Sequence, residues 1–316
     1  MARLIGIVGA TGFIGSYLSR YLAANTPGSI RLLTRSAQVS PDPERFPVIT
    51  GDLLSAADCR RFVVGLDVIY YLAHTNSPVN SDRDKVSDTM CNLIPLLNLI
   101  RAVEDMGTRP QIVYFSSGGS IYAPKHGRDR YCETDPCGPA SSYGIQKLVA
   151  EQYLRLAAER GHLTATVLRV GNAFGALLPY HRSQGLIGVA VNNVLHGRPV
   201  RVFGNPHNVR DYVHLQDICS IAERAAEPHA PFMILNVGRG EGHSVLEILT
   251  MIEACYGSPL AIETDDHLGQ QLIDWVVLDT SLAQREYGWS PAIDLRSGIS
   301  DLMADCKPDA RACVAK

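Results

Sequence analysis

The chain has 316 residues, which at about 150 residues per domain is enough for two domains or for one large α/β domain with a satellite. Hydrophobic residues make up 46% and charged residues 19% of it, and mean hydropathy is +0.01, values that exclude fibrous and disordered classes. A net charge of −3 with a pI near 6.4, and no local basic patch, excludes nucleic acid as a general partner and points to small-molecule chemistry. No run of roughly 18 uncharged apolar residues occurs, so no membrane span is expected. The first apolar run, Leu4–Val8, is too short for a secretory signal and leads into glycines, so it reads as a strand. The eight cysteines never form a C-x-x-C pair, which leaves neither zinc nor a disulfide framework at its usual spacing; no metal site and reduced thiols in a cytoplasmic setting are the expectation.

Apolar, β-rich runs alternate with helical patterns through the first half. Strands are predicted at Leu4–Val8, Ile30–Leu33, Val48–Ile49, Val68–Leu72, Ile112–Phe115 and Thr164–Val170, and helices at Ile14–Ala24, Cys91–Val103 and Tyr143–Arg160. Runs without inside-outside alternation suit strands buried on both faces, so the fold class is α/β, a Rossmann-type doubly wound parallel sheet. Beyond Asn172 the pattern loosens, with short runs at Val200–Phe203 and Phe232–Val237 before a helical Ser244–Ala254. The expected division is a dinucleotide-binding domain over 1–172 and a smaller α/β substrate-binding domain over 173–316, with about 210–237 packing back on the first.

Gly9-Ala10-Thr11-Gly12-Phe13-Ile14-Gly15 follows the first strand and opens the first helix, where helix N-terminal amides hold a dinucleotide pyrophosphate. The spacing is G-x-x-G-x-x-G, and an ordinary glycine turn is the alternative. At the end of the second strand Thr34-Arg35-Ser36 offers no carboxylate for ribose hydroxyls. Arg35 and Ser36 can instead hold a 2′-phosphate, so the choice between NAD and NADP leans to NADP, although Arg35 can equally be a solvated surface residue. Asp52 with Leu53 follows the third strand, placed for adenine, and Leu72-Ala73-His74 ends the fourth beside the pyrophosphate. A surface Asp and a capping His are the competing readings.

Tyr143 and Lys147 stand four apart and share one helix face. A phenol of reference pKa about 10 is a poor base, and a neighbouring ammonium with a nicotinamide cation favours the phenolate, making Tyr143 an acid/base. Upstream, Ser116-Ser117-Gly118-Gly119-Ser120-Ile121-Tyr122 follows the fifth strand with hydroxyls for a substrate over the nicotinamide.

With GATGFIG at Gly9–Gly15, SSGGSIY at Ser116–Tyr122, SSYGIQK at Ser141–Lys147, LRVGNAFG at Leu168–Gly175 and VRDYVHLQD at Val209–Asp217, nearly the whole chain resembles the extended short-chain dehydrogenase/reductase family. Within it the likeness is to the nucleotide-sugar epimerases and dehydratases typified by the UDP-galactose 4-epimerases. The resemblance implies that Asn92 anchors near the active site, that Asn172 contacts the sugar nucleotide, that Arg210 pairs with its pyrophosphate, and that Gly185, Leu186 and Phe203 lie near the base and phosphates. For Arg210 a salt bridge with Asp211 or Asp217 is the alternative. It also implies a homodimer packed through Cys91–Val103 and Tyr143–Arg160.

The chain departs from the family pattern in three places. Gly118 stands where epimerases commonly carry a Ser or Thr; Ser120, pointing the same way if the segment is extended, is the expected substitute. The Asp-Glu pair of dehydratases is replaced by Gly119 and Ser120, which disfavours dehydration. A second pyrophosphate arginine expected near Leu268–Gln271 is missing, with His267 the nearest replacement. The main expectation is an NAD(P)-dependent nucleotide-sugar 4-epimerase working through a 4-keto intermediate. The alternative is an NADPH-dependent 4-ketoreductase of a 4-keto-6-deoxy sugar nucleotide, and the third reading is a redox-sensing or scaffold protein that binds dinucleotide without turnover.

Overall fold

The computed structural model describes residues 3–35, 46–77, 81–125, 127–180, 182, 184–265 and 273–305. Strands β1 (Arg3–Val8), β2 (Gly28–Thr34), β3 (Val48–Thr50), β4 (Val68–Tyr71), β5 (Gln111–Ser117) and β6 (Thr164–Val170) alternate with helices α1 (Phe13–Asn25), α2 (Ala56–Val63), α3 (Lys85–Met106) and α4 (Ser142–Glu159). The second half runs β7 (Asn172–Phe174), α5 (Leu186–Leu195), β8 (Val200–Phe203), β9 (Val209–His214), α6 (Leu215–Arg224), β10 (Phe232–Val237) and β11 (Gly242–Ser244). It closes with α7 (Val245–Tyr256), β12 (Ile262–Asp265), β13 (Trp275–Val276), α8 (Ser281–Tyr287) and α9 (Leu295–Asp305).

Seven strands form one sheet in the order β10-β6-β5-β4-β1-β2-β3, every pair parallel. Both faces are buried, as the unbroken apolar runs require. Ile5, Ile7, Val68, Tyr70, Val113 and Phe115 face a core shared with Leu18 and Leu22 of α1 and Ile218 and Ile221 of α6. Val8, Ile69, Tyr71, Ile112 and Tyr114 face Phe62 of α2, Leu96 and Leu99 of α3, and Leu154 of α4. The predicted α/β Rossmann architecture is therefore the one observed.

A third core is built from Phe174, Val191 of α5, Val200 and Val202 of β8, Ile248 and Ile252 of α7, and Ile299 of α9. Strand β9 is the hub of the smaller sheet, antiparallel to β11 and parallel to β7 and β13, while β8 pairs with β12. The chain then returns: α6 lies against α1 and β10 joins the large sheet beside β6.

Local chemistry sets the element ends. Asp84 caps α3 by accepting from Ser87 N, and Gly107 ends it at φ 62°, so the helix outruns the predicted Cys91–Val103 at both ends. Short α2, charged and weakly apolar, starts from Ser55, which accepts from Asp58 N. The order of the large sheet reverses between β1 and β4, the switch point at which ligands bind open α/β sheets.

Candidate active site

At that switch point lies a cavity of about 630 Å³. Gly9, Gly12, Phe13, Ile14 and Gly15 line one end of it, Tyr143, Lys147 and Ser120 the middle, and Asn172, Gly185, Leu186, Phe203 and Arg210 the other end. Residues from seven separate stretches of sequence thus face one volume.

The glycine loop is shaped for close backbone approach. Gly9 has φ +89°, and a Cβ there would sit 2.7 Å from the Ala73 amide nitrogen; a Cβ on Gly15 would strike the Gly9 carbonyl oxygen. Gly12 caps α1 without any side-chain hydrogen bond, and the first turn has no acidic residue. The N-terminal amides of α1 and the positive end of its dipole therefore meet no competing anion of their own. A dinucleotide pyrophosphate fits this cradle.

The other predicted cofactor residues divide. Leu72 and His74 line the cavity, whereas Ala73 backs Gly9 and Thr11 lies on the exposed turn outside the lining. Arg35 is exposed just beyond β2, and Ser36 lies outside the described residues. Asp52 is exposed, its Oδ1 accepting from Leu54 N at 2.9 Å, and Leu53 is buried in the core. Asn92 stands behind the cavity: its Oδ1 accepts from Thr75 N at 2.7 Å and its Nδ2 donates to Asp88 Oδ1 at 2.7 Å. His267 and Leu268–Gln271 also fall outside the described residues.

Helix α4 delivers Tyr143 and Lys147. Ser141 caps it by accepting from Gly144 N, Asp82 Oδ1 accepts from Ser142 N at 2.8 Å, and Ser81 Oγ accepts from Tyr143 N at 3.0 Å. Lys147 Nζ donates to the Phe115 carbonyl at 2.7 Å and lies 5.7 Å from the Tyr143 ring centroid. Burial pushes Tyr143 up to about 12, a hydrogen bond from Ser117 being the opposing influence, and burial also pulls Lys147 down to about 7. Desolvation outweighs pairing here because both charged forms lose water.

Ser120 is the expected substitute donor to the sugar oxygen, and the hydroxyl that interacts with the Tyr143 phenol is that of Ser117. Strand β5 ends at Ser117 and residues 118–120 form a turn, so two-residue alternation no longer applies, although Ser120 still faces the cavity. Gly118 points elsewhere: a Cβ on it would lie 2.6 Å from Leu278 Cδ1 and 3.0 Å from the Arg169 carbonyl.

Two further groups shape the surroundings of Tyr143, and of these only His74 stands in a sequence motif. His74 meets the Tyr143 ring edge-on at 4.7 Å, kept neutral by burial and by Lys147, which bring it down to about 2. Asp88, fully buried, accepts from Asn76, Asn92, Ser142 and Gln146, each at 2.7 Å. It ties the loop after β4 to α3 and to the start of α4.

At the far end Arg210 is buried and donates to the Val209 carbonyl at 2.7 Å. The carboxylates considered as its partners are occupied by backbone amides. Asp211 accepts from Arg239, Gly240 and Leu278, and Asp217 accepts from Ala292 and Ile293. Nearby Asn208 has a buried Oδ1 without a partner. Among the described residues no group of three or more His, Cys, Asp or Glu is placed to hold a metal ion, and no helix is long and apolar enough to cross a membrane.

Comparison with known proteins follows the same geometry. The NAD dependent epimerase/dehydratase family model matches residues 5–238. A UDP-glucose 4-epimerase of Mycolicibacterium smegmatis is 29% identical over 305 residues, covering 93% of this chain and 95% of that protein. A dTDP-4-dehydro-6-deoxyglucose reductase of Escherichia coli is 26% identical, covering 75% and 74%. The crystal structure of Thermus thermophilus UDP-glucose 4-epimerase in complex with NAD superimposes with a TM-score of 0.86 at 26% identity, covering 96% of this chain and 99% of that one. With a cradle for a dinucleotide, a Tyr–Lys helix and a family match over most of its length, the chain belongs to the NAD-dependent epimerase/dehydratase family of extended short-chain dehydrogenase/reductase enzymes.

Proposed function

We propose that the protein is an NAD(P)-dependent nucleotide-sugar 4-epimerase that works through a 4-keto sugar. The observation that carries this reading is the single cavity joining the glycine cradle, Tyr143 with Lys147, and Arg210. Gly9, Gly12, Gly15 and the open N-terminus of α1 would hold the dinucleotide, with Leu72 alongside. When bound, its nicotinamide supplies hydride exchange at the sugar carbon and, oxidised, a positive charge that favours the phenolate. Tyr143 takes the proton of the sugar 4-hydroxyl as C4 gives up hydride and, once the 4-keto sugar has turned over and hydride has returned to its other face, gives the proton back to the 4-oxygen, assisted by the Ser117 hydrogen bond. Ser120 and Asn172 hold the sugar, and the Arg210 guanidinium pairs with the pyrophosphate among Gly185, Leu186 and Phe203. The narrow turn at Gly119 and Ser120 supplies no carboxylic acid for eliminating water.

One observation favours the 4-ketoreductase as the second reading. A phenol held protonated by burial is ready to donate to a 4-keto oxygen, and the Escherichia coli relative is a reductase of a 4-dehydro-6-deoxy sugar nucleotide. Exposed Arg35 supports NADP, and the NAD of the Thermus thermophilus structure supports NAD. The test has two parts. Nucleotide released from denatured protein is identified, and the protein is given UDP-glucose alone or a dTDP-4-keto-6-deoxy sugar with NADPH. Retained NAD with UDP-glucose–UDP-galactose interconversion is the expected result; NADPH consumption with the keto sugar selects the reductase, and inactivity on both overturns the proposal.

A dimer face is part of the same proposal. Val86 and Met90 of α3, and Ile145, Tyr153 and Leu156 of α4, are exposed, and the two helices lie side by side, an apolar surface suited to a second copy. The described cysteines are all free, in keeping with a reducing, cytoplasmic setting.

A further inference from the structure

Tyr143, Lys147 and Glu151 follow one another at steps of four residues along one face of α4. The end of β5 meets that face residue by residue. The Phe115 carbonyl accepts from Lys147 Nζ at 2.7 Å, Ser116 Oγ donates to Glu151 Oε1 at 2.6 Å, and Ser117 hydrogen-bonds the Tyr143 phenol. Glu151 itself is 0% exposed and does not line the cavity, so it acts through other groups. Arg169 of β6 grips its carboxylate as a fork, Nε to Oε1 at 3.1 Å and Nη2 to Oε2 at 2.7 Å. The guanidinium is covered in turn by the Tyr122 ring at 4.9 Å.

A pair this deeply buried is a poor source of stability, since apolar replacements of such pairs are often neutral. Its placement supplies another reason for it. We propose that Glu151 is a positioning residue, clamping the end of β5 onto the reactive face of α4 and keeping a carboxylate one helical turn behind the Lys147 ammonium. The inference rests on the functional reading above, in which Tyr143 and Lys147 do the chemistry.

The groups facing Lys147 are Tyr143 and Glu151 on its own helix, Tyr114 of β5 with its ring at 5.0 Å, His74 from the end of β4, and Arg169 across the Glu151 carboxylate. Burial lowers Lys147 and the Glu151 charge opposes it. A rate that needs the ammonium is present below the Lys147 pKa and lost as pH rises through it. Glu151 therefore holds that loss at higher pH, and removing its charge moves the loss to lower pH.

The experiment is the pH profile of kcat/KM for the full-length enzyme with its nucleotide sugar, in Glu151→Gln, Glu151→Asp and the double variant Glu151→Gln/Arg169→Met. Glu151→Gln is expected to move the alkaline fall to lower pH by about one unit, the scale of a nearby opposite charge, with cofactor binding unchanged. Glu151→Asp keeps the charge and is expected to restore the wild-type limb. Should Glu151→Gln fail to fold because Arg169 is left unpaired, the double variant removes both charges and is expected to fold with the limb still displaced. Profiles that superimpose on wild type in the folded variant overturn the proposal, as does a uniform loss of rate with no movement of the limb. Wild-type protein without turnover on any nucleotide sugar sinks the functional reading instead, and the inference with it.

Discussion

The two ends of the cavity are built differently. Around Tyr143 most of the polar side chains are tied to other parts of the protein, Lys147 to Phe115, Ser116 to Glu151, Ser142 and Gln146 to Asp88, although buried His74 Nε2 and Ser77 Oγ have no hydrogen-bond partner. Around Arg210 they are not, for Arg210 reaches only as far as the neighbouring Val209 carbonyl and Asn208 Oδ1 is buried without a partner. The first end is carried by β5, α4 and the turn before α1, and the second by α5, β8 and β9 together with loop residues such as Tyr180, Arg182, Gln184 and Asn205. On the proposed reading, the groups that move the proton are positioned by the large sheet and its helices, while those beside Arg210 keep hydrogen-bonding capacity for the nucleotide.

Four substitutions press on this contrast. Tyr143→Phe removes the proton carrier without disturbing the cradle, and kcat is expected to fall about 10³-fold while dinucleotide titration gives an unchanged affinity. Retained turnover would erase the catalytic end of the comparison. Asp88→Asn keeps one side-chain oxygen and so leaves two of the four donors without their acceptor, and a loss of about 3 kcal/mol is expected in urea unfolding; an unchanged midpoint would mean the committed end is held by something else. Arg210→Ala is expected to raise KM for the nucleotide sugar about 30-fold with kcat nearly constant. A fall in kcat instead would show that the recognition end is coupled to the chemistry. Gly118→Ser places a Cβ against Leu278 and the Arg169 carbonyl, so about 1 kcal/mol of stability is expected to be lost. A gain in rate from it would return that position to the active site.

Much of the committed end is legible in the sequence because its signals are local. Gly9–Gly15 follows a buried strand directly, and Tyr143 and Lys147 are four apart on one helix. The strands Leu4–Val8, Ile112–Phe115 and Thr164–Val170 are apolar without alternation because helices cover both sides. What stayed hidden depends on long-range contact. Nothing near Asp88 predicts that its donors come from residues 76, 92, 142 and 146. The sequence does not single out the role of Ser117 beside Tyr143, because the end of β5 cannot be read from the letters S-S-G-G-S. The spacing of Tyr143 and Lys147 shows a neighbouring amine, whereas the burial that raises the phenol is a property of the whole fold and leaves no mark on the local sequence. Helix α2, with Ala-Ala-Asp-Cys-Arg-Arg in its interior, has too few apolar residues to show a period of its own.

The return of the chain to the large sheet through α6 and β10 has an evolutionary and practical consequence. Residues 176 to 208, which supply most of the recognition loops, leave the main body after β7 and rejoin it at β9, so they form an excursion with both ends pinned to the same small sheet. Its α5 and β8 pack in the third core with α7 and α9, and β8 pairs with β12, so substitutions along this excursion have to suit the smaller core and leave the two cores of the large sheet unchanged.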